Sequence, residues 1–337
     1  MKQLIALILL VGFFSACSDK PEKDNPKVAF YYWKTVFKLT ENEKKALTEN
    51  GTQRMYVRYF DVGLKGKEAV PISPVTFAEK PGDYEIIPVV YIKNEVMLEP
   101  TVKLQELAEN INRYIGQMNT KNKIAWSEIQ VDCDWTLNSK DRYLKFVTLL
   151  KSVSAKKMSA TIRLHQVKYF NKTGIPDVDK GVLMYYNMGT IAADNQNSIY
   201  DREIAKRYLK SLKKFPLQLD VALPIYAWGI HIRDHKVIKL ISKMDAALLE
   251  KDPHFKRTDE MYFQVVKSVI RNGNYFKEGD QVKIEAITKA DLKTMAEDMS
   301  DNLAKRPDEI ILYDLDTFNL TIYNDDQKFF KKVAGWF

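Results

Sequence analysis

The sequence is poor in the residues and motifs that mark several large classes of protein. Its 337 residues include only two cysteines, Cys17 and Cys133, too few for the disulfide framework of a small secreted scaffold. It contains no glycine-rich loop that would cradle a phosphate, no G-x-S-x-G elbow and no recognisable nucleic-acid-binding module. These absences argue against nucleotide binding and against the serine-hydrolase mechanism.

The charge balance is basic, with 52 lysine and arginine residues against 44 aspartate and glutamate residues and a net charge of +8. The lysines are scattered and alternate with acidic residues, so we expect a solvated lysine-rich surface and no nucleic-acid partner. Hydrophobic residues make up 45% of the chain, which is typical of a globular protein with one large core.

The only long apolar run is MKQLIALILLVGFFSAC at the amino terminus. One basic residue, an apolar stretch too short to be a good membrane span and small residues before a cysteine indicate a secretory signal. The end of the run, from Phe14 to Cys17, resembles the bacterial lipoprotein box, although leucine is more usual than phenylalanine at its first position. That resemblance implies a lipid anchor on Cys17 and a location in the bacterial cell envelope, facing the periplasm or the outside. The alternative is an ordinary signal peptide with a chance cysteine.

The expected organisation is therefore a signal peptide over 1–16, a flexible tether over 17–27 and one folded domain over 28–337. A lipidated Cys17 leaves Cys133 without a disulfide partner. Because Cys133 stands between two aspartates on a predicted strand, we expect it to point to the opposite face and to be buried as a small hydrophobe.

Apolar stretches alternate with helical patterns along the folded domain. Eight stretches are nearly continuous in apolar, β-branched and aromatic residues: 28–37, 54–63, 85–94, 128–136, 159–167, 181–189, 217–229 and 309–318. Such runs indicate strands buried on both faces, as in parallel sheets. Helical patterns with Thr40 and Ser139 as expected N-caps fill several gaps. The alternation predicts an α/β fold, a (β/α)8 TIM barrel.

One gap is too long for a single helix, since residues 230–308 separate the seventh and eighth predicted strands. Its end reads as the usual outer helix, and the part before it predicts an insertion over 230–285 with a hairpin. A loop that follows a barrel strand lies on the carboxyl-terminal face, where active sites occur in barrels of this kind. We therefore expect the insertion to form a wall or a lid of a cleft.

Polar and aromatic side chains stand at the ends of the predicted strands. Asp132 and Asp134 project the same way because side chains alternate along a strand. Carboxylates and amides hydrogen-bond sugar hydroxyls and flat rings stack on sugar faces, so this composition predicts a carbohydrate cleft. The residues expected to contact the sugar are Trp33, Asp61, His165, Tyr186, Asn187, Tyr226, Trp228, Asp314 and Asp316. The alternative is that the aspartates only cap helices or bond to neighbouring backbone.

The end of the fourth strand resembles that of the chitinase-type (family 18) glycoside hydrolases, which carry a D-x-D-x-E motif there. The matching residues are Asp132, Asp134 and Thr136. The stretches LMYYNMG and ALPIYAWG are similar to the sixth and seventh strands of that family. A second resemblance is to bacterial barrels of unknown function whose fourth strand reads Q-x-D-x-D, here Gln130 to Asp134, followed by a helix with a tyrosine, here Tyr143.

The resemblance implies a protein that acts on a glycan, but it fails at the residue that serves as general acid. Thr136 replaces the glutamate, and threonine cannot protonate a leaving oxygen near neutral pH. Asp134 is the first substitute for the acid, with Asp132 raising its pKa through like charge. The others are Asp314 and Asp316 on the eighth strand. The rival hypothesis is a non-catalytic protein that binds glycans through a degenerate active site.

No cofactor or metal is expected. The run HIRDH, residues 231–235, has metal-ligand residue types, and its histidines have a spacing that would suit a helix. It has no third histidine and no H-E-x-x-H pattern, so we do not predict a metal site there.

Overall fold

The computed structural model describes residues 25–337, so the predicted signal, the tether up to residue 24 and the lipidation site at Cys17 lie outside the described residues. The strands are β1 (Lys27–Tyr32), β2 (Val36–Phe37), β3 (Arg54–Lys65), β4 (Glu68–Ile72), β5 (Thr76–Phe77), β6 (Glu85–Ile92), β7 (Glu128–Asp132), β8 (Lys157–Arg163), β9 (Lys180–Met184), β10 (Leu219–Pro224), β11 (Ala227–Arg233), β12 (Lys236–Ser242), β13 (Phe255–Arg257), β14 (Tyr262–Val265), β15 (Val269–Arg271), β16 (Asn274–Phe276), β17 (Gln281–Ala286) and β18 (Glu309–Tyr313). The helices are α1 (Glu41–Glu49), α2 (Asn94–Leu98), α3 (Leu104–Asn122), α4 (Lys140–Ser154), α5 (Leu164–Lys168), α6 (Phe170–Thr173), α7 (Arg202–Leu212), α8 (Ala246–Glu250), α9 (Lys289–Asn302), α10 (Thr317–Leu320) and α11 (Phe329–Ala334).

Eight parallel strands close into a barrel. Around it they follow the order β1, β3, β6, β7, β8, β9, β10 and β18, and β18 pairs with β1. Helices follow most of these strands along the chain. The predicted (β/α)8 barrel with an insertion between its seventh and eighth strands is therefore confirmed.

The barrel forms because its strands are apolar along nearly their whole length. Every residue of β7 and of β10 is buried, as expected for strands covered by helices outside and by packed side chains inside. The packing is tight at Gly181 of β9, where an added Cβ would come within 2.8 Å of Leu219 and 2.9 Å of Ile162. A glycine at this position lets the three strands approach one another.

Local signals explain where the elements begin and end. Thr40 caps α1 as expected and forms a capping box with Glu43. Ser139 precedes α4, but its hydroxyl makes no capping hydrogen bond and lies 2.5 Å from Asn94 Oδ1 instead. The fifth barrel strand ends at Arg163, earlier than its apolar pattern suggests. The side chain of Gln166 accepts a hydrogen bond from the Arg163 amide at 2.8 Å and starts α5.

The inserted segment forms a sheet of its own directly after β10. Five antiparallel strands lie in the order β12, β11, β17, β14 and β13, and β15 pairs with β16 in a separate hairpin. A small second core, which includes Phe263, Phe276 and Val282, packs on this sheet. The sheet spans Ala227 to Ala286, and its first strand begins three residues after the last residue of β10, at the carboxyl-terminal end of the barrel. Among the described residues no helix is long and apolar enough to cross a membrane.

Candidate functional site

The two aspartates at the end of β7 are buried to different extents: Asp132 is the last residue of the strand, and Asp134 lies two residues beyond it. Asp132 is 5% exposed and accepts a hydrogen bond from Thr161 Oγ1 at 2.6 Å. The side chain of Asp134 is 50% exposed and accepts a hydrogen bond from Arg163 Nε at 2.7 Å. Burial raises the pKa of Asp132, although Arg163 and Thr161 act to lower it. Cys133, between them, is buried, as predicted.

Thr136, at the place of the family's general acid, belongs to the turn that leads into α4. Its amide donates to Ser139 Oγ at 2.9 Å, and its carbonyl accepts from the Ser139 amide at 3.1 Å. The Thr136 side chain is exposed and supplies no ionisable group. Asp134, the expected substitute, is held in an ion pair with Arg163 at 2.7 Å.

A cavity of about 380 Å³ opens beside Asp134. Its lining residues are Asp134, Arg163, Leu164, His165, Met184, Tyr186, Asn187, Met188 and Tyr208. Four residues expected from the sequence, Asp134, His165, Tyr186 and Asn187, therefore meet in one place. His165 belongs to α5 and not to a strand. Partial burial and the charge of Arg163 lower its pKa, so the imidazole is mostly neutral at pH 7.

Six aromatic rings pack together at the mouth of the barrel. We call them the aromatic cluster: Tyr31, Trp33, Tyr186, Tyr226, Trp228 and Tyr313. Tyr313 joins them, with ring centroids 5.5 Å from Trp33, 5.5 Å from Tyr186 and 5.9 Å from Tyr226. Trp228 lies 5.2 Å from Tyr226. Trp33, Trp228 and Tyr313 are partly exposed and can present ring surface to a ligand.

The cluster is tied to the cavity by hydrogen bonds. The Tyr226 hydroxyl donates to Asn187 Oδ1 at 2.5 Å. The Tyr31 hydroxyl, on β1, donates to Gln130 Oε1 on the non-adjacent strand β7 at 2.6 Å. Desolvation raises the pKa of both tyrosines. They therefore remain neutral donors over the whole physiological pH range, and their rings are fixed in orientation.

The end of β18 carries two aspartates in contrasting surroundings, after a cis peptide bond between Tyr313 and Asp314. Asp314 accepts from Asn319 Nδ2 at 2.6 Å, and burial together with the neighbouring charge of Asp316 raises its pKa to about 6. Asp316 caps α10 through the Phe318 amide and pairs with Lys243 at 2.8 Å. Burial acts to raise the pKa of Asp316, but these contacts lower it overall.

Two sequence-derived groups lie elsewhere. Asp61 is paired with Arg58 at 2.6 Å, in the part of β3 that forms a hairpin with β4, and lines neither the cavity nor the aromatic cluster. In the run HIRDH, His231 bonds to Asp280 at 2.7 Å within the inserted sheet. The residues after Arg233 form the left-handed turn between β11 and β12 and not a helix. Over residues 25–337 no group of three or more histidine, cysteine, aspartate or glutamate side chains could hold a metal ion.

Sequence reasoning missed Arg163 and Tyr313. Arg163 follows Thr161 at a spacing of two in β8, so its side chain points to the same face as Thr161. The sequence contains that signal, but its pattern predicts a strand that continues to residue 167. Tyr313 directly precedes Asp314, and its position as a ring at the end of the eighth strand is likewise readable.

Comparisons with known proteins show which solved structures have a similar fold. No protein-family model matches the sequence, and no curated protein does so either. A family 18 chitinase from Cycas revoluta, solved with allosamidin, superposes with a TM-score of 0.52 at 9% identity, over 91% of this chain and 98% of that one. The chitinase-like agglutinin of Robinia pseudoacacia gives 0.54 at 9% identity, over 91% and 99%. The Cycas enzyme in complex with (GlcNAc)3 gives 0.50 at 9% identity, over 91% and 98%. The chain has a chitinase-like barrel fold, as its motifs predict.

Proposed function

We propose that the mouth of the barrel binds a glycan and does not cleave it. The observation that carries this proposal is the aromatic cluster, which presents partly exposed rings beside a polar cavity of about 380 Å³. Rings of this kind stack on sugar faces, and Asn187, Arg163 and Asp134 offer hydrogen-bonding groups to hydroxyls at the same place.

The absence of cleavage follows from how the acidic groups are engaged. Asp134 is paired with Arg163, and Asp316 with Lys243, while Asp132 is buried and accepts a hydrogen bond from Thr161. Thr136 provides no proton at the position where a glutamate would. The likeness to an agglutinin with a chitinase-like fold supports the same proposal, because that protein is described by its binding.

The test is a glycan panel in which binding and product release are both measured on the wild-type protein. Oligomers of N-acetylglucosamine come first, since the Cycas chitinase has been solved with (GlcNAc)3. We expect saturable binding to at least one member of the panel with no new reducing ends. Product release would show an enzyme, and no binding to any member would refute the proposal.

A second candidate function is hydrolysis with Asp314 as the general acid. The observation that favours it is the pKa of about 6 for this carboxyl, which is in the range useful for proton donation near neutral pH. If the panel reveals cleavage, Asp314→Asn should abolish it while Asp134→Asn keeps part of it. The reverse result would return the role of acid to Asp134.

We also propose that Cys17 carries a lipid that anchors the protein in a bacterial cell envelope. The support is the signal-like run that ends at this cysteine. Cells that express the wild type or Cys17→Ala are labelled with a lipid precursor. Label on the wild type alone is the expected result. Identical, unlabelled processing of both would contradict it.

A further inference from the structure

We propose that a buried ion pair in the inserted sheet, Lys283 with Glu285, positions one wall of the glycan site by locking Trp228 and the loop 187–200 together. This inference rests on the proposed function for its consequence in binding. The lock itself can be tested without any ligand.

The pair lies on β17, where residues two apart share a face. Both side chains are fully buried, and Lys283 Nζ is 2.7 Å from Glu285 Oε1. From β17 the lysine reaches the loop between β9 and α7. It donates to the carbonyls of Gln196 at 2.6 Å and Ala192 at 3.2 Å, and to Asp194 Oδ1 at 3.1 Å. One ammonium group therefore organises the middle of that loop.

Glu285 joins the loop to the aromatic cluster. Its Oε2 accepts from the Trp228 indole Nε1 at 2.8 Å and from Ser198 Oγ at 2.5 Å. The orientation of a partly exposed ring at the mouth is thus set by a carboxylate that lies out of solvent. Trp228 does not need this hydrogen bond to pack, because its ring already contacts Tyr226.

The first residues of the loop 187–200, Asn187 and Met188, line the cavity. The amide of Asn187 donates to the Ile199 carbonyl at 2.8 Å, and that of Gly189 donates to the Ser198 carbonyl at 3.0 Å. Asn187 then accepts the Tyr226 hydroxyl. The contacts form a closed ring through Trp228, Glu285, the loop and Tyr226. A substitution at Lys283 should therefore weaken the hydrogen bond of the Asn187 amide and lower its protection from exchange.

A purely packing role for these residues would not need charges. Burying an ion pair costs desolvation that apolar side chains of similar volume avoid, so such pairs are weak evidence for stability as such. Here the two charged groups instead make directed contacts to other segments: Lys283 to the loop 187–200, and Glu285 to both that loop and Trp228. These contacts fix the position of the loop 187–200 relative to Trp228 at the mouth of the barrel.

The test compares the wild-type protein with the variants Lys283→Met, Ser198→Ala and Lys239→Met. Lys239 is the matched control, because it belongs to the same sheet and bonds only Asn274 of the β15–β16 hairpin at 2.7 Å. Amide hydrogen exchange reports the loop, and the indole N–H resonance of Trp228, assigned with Trp228→Phe, reports the ring. Ser198→Ala removes only the hydroxyl that bonds to Glu285, so it provides a second test if Lys283→Met does not fold.

We expect Lys283→Met to lower the protection of the Asn187 and Gly189 amides at least tenfold and to shift the Trp228 indole resonance. Ser198→Ala should shift the same resonance, and Lys239→Met should change neither quantity. The proposal is wrong if Lys283→Met changes neither the protection of the Asn187 and Gly189 amides nor the Trp228 indole resonance. If Lys283→Met is unfolded, an unchanged result in Ser198→Ala contradicts the proposal in the same way.

Binding is measured separately with (GlcNAc)4 as the probe. Lys283→Met should weaken it at least fivefold and Lys239→Met should not. If the wild type binds (GlcNAc)4 and Lys283→Met binds it equally well, the positioning role is wrong. If the wild type does not bind, the proposed function fails for this glycan, whereas exchange and resonance data still decide on the lock.

Discussion

The two ends of the barrel both hold charged side chains around a cavity, but they are built differently. At the amino-terminal end a cavity of about 830 Å³ is lined almost entirely by charged and polar residues. There Arg54 lies 2.8 Å from both Glu128 and Glu309, and Lys180 lies 2.8 Å from Asp220. At the carboxyl-terminal end the cavity is less than half as large, and aromatic rings surround it.

The proposed glycan site is thus at the smaller and less charged of these two cavities. In the amino-terminal network each acid faces a base, and Tyr56 donates a further hydrogen bond to Glu309 at 2.7 Å. Burial acts to raise the pKa of Glu309, but Lys180 and Arg54 lower it overall. The aromatic cluster and the carboxyl of Asp314, with its raised pKa, lie at the other end.

The largest effect should come from breaking the amino-terminal network. Arg54→Met leaves Glu128 and Glu309 with fewer partners, and we expect a loss of ~3 kcal/mol in the free energy of unfolding. Urea denaturation measures it. Lys44→Met, which removes an exposed pair with Glu41 at 3.1 Å, is the control and should change almost nothing. If the folded variant Arg54→Met lost affinity for the glycan, the claim that only the carboxyl-terminal end binds it would be wrong.

The next effect is a pH dependence at the mouth. The folded pKa of Asp314, about 6, lies above its ordinary value of 3.8, so the folded state holds this proton more tightly than the unfolded state does. This group's contribution to stability is fully present below pH 4 and is lost as the pH rises to 6. Its magnitude is about 2 kcal/mol after allowance for partial exposure.

Asp314→Asn removes that titration. The stability of the variant relative to wild type should therefore increase between pH 4 and pH 6 and stay constant above. Urea denaturation at several pH values gives the difference directly. A difference that does not change across this interval would mean that Asp314 has an ordinary pKa, and the second candidate function would lose its support.

A smaller effect is expected at Asp134. Because its side chain is half exposed, Asp134→Asn should cost less than ~1 kcal/mol of stability, while glycan affinity should fall two- to fivefold through loss of a cavity group. Asp61→Asn is the matched control, since it breaks another aspartate–arginine pair outside the cavity. Titration calorimetry on both variants distinguishes them. Equal affinities would remove Asp134 from the site.

The sequence predicts the barrel well because burial on both faces leaves an unmistakable pattern in strands such as β7 and β10. It also places Asp132 and Asp134 on one side of the chain. It does not predict the ion pair between Arg163 and Asp134, because pairing between residues near the ends of neighbouring strands depends on the register of those strands. Nor does it predict the end of β8, where the side chain of Gln166 turns an apolar run into a helix. The link from Lys283 to Asn187 depends on contacts between segments nearly 100 residues apart.

The central claim is that the ring-lined end binds the glycan. It is tested most directly by titrating the glycan that the panel identifies into two matched variants, Trp33→Ala at the mouth and Trp126→Ala at the amino-terminal end. Both tryptophans are partly exposed, and Trp126 packs under Lys156, whose Nζ lies 4.8 Å from its ring centroid. We predict that Trp33→Ala weakens binding about tenfold and that Trp126→Ala leaves it unchanged. Loss of affinity in Trp126→Ala with full affinity in Trp33→Ala would contradict the account.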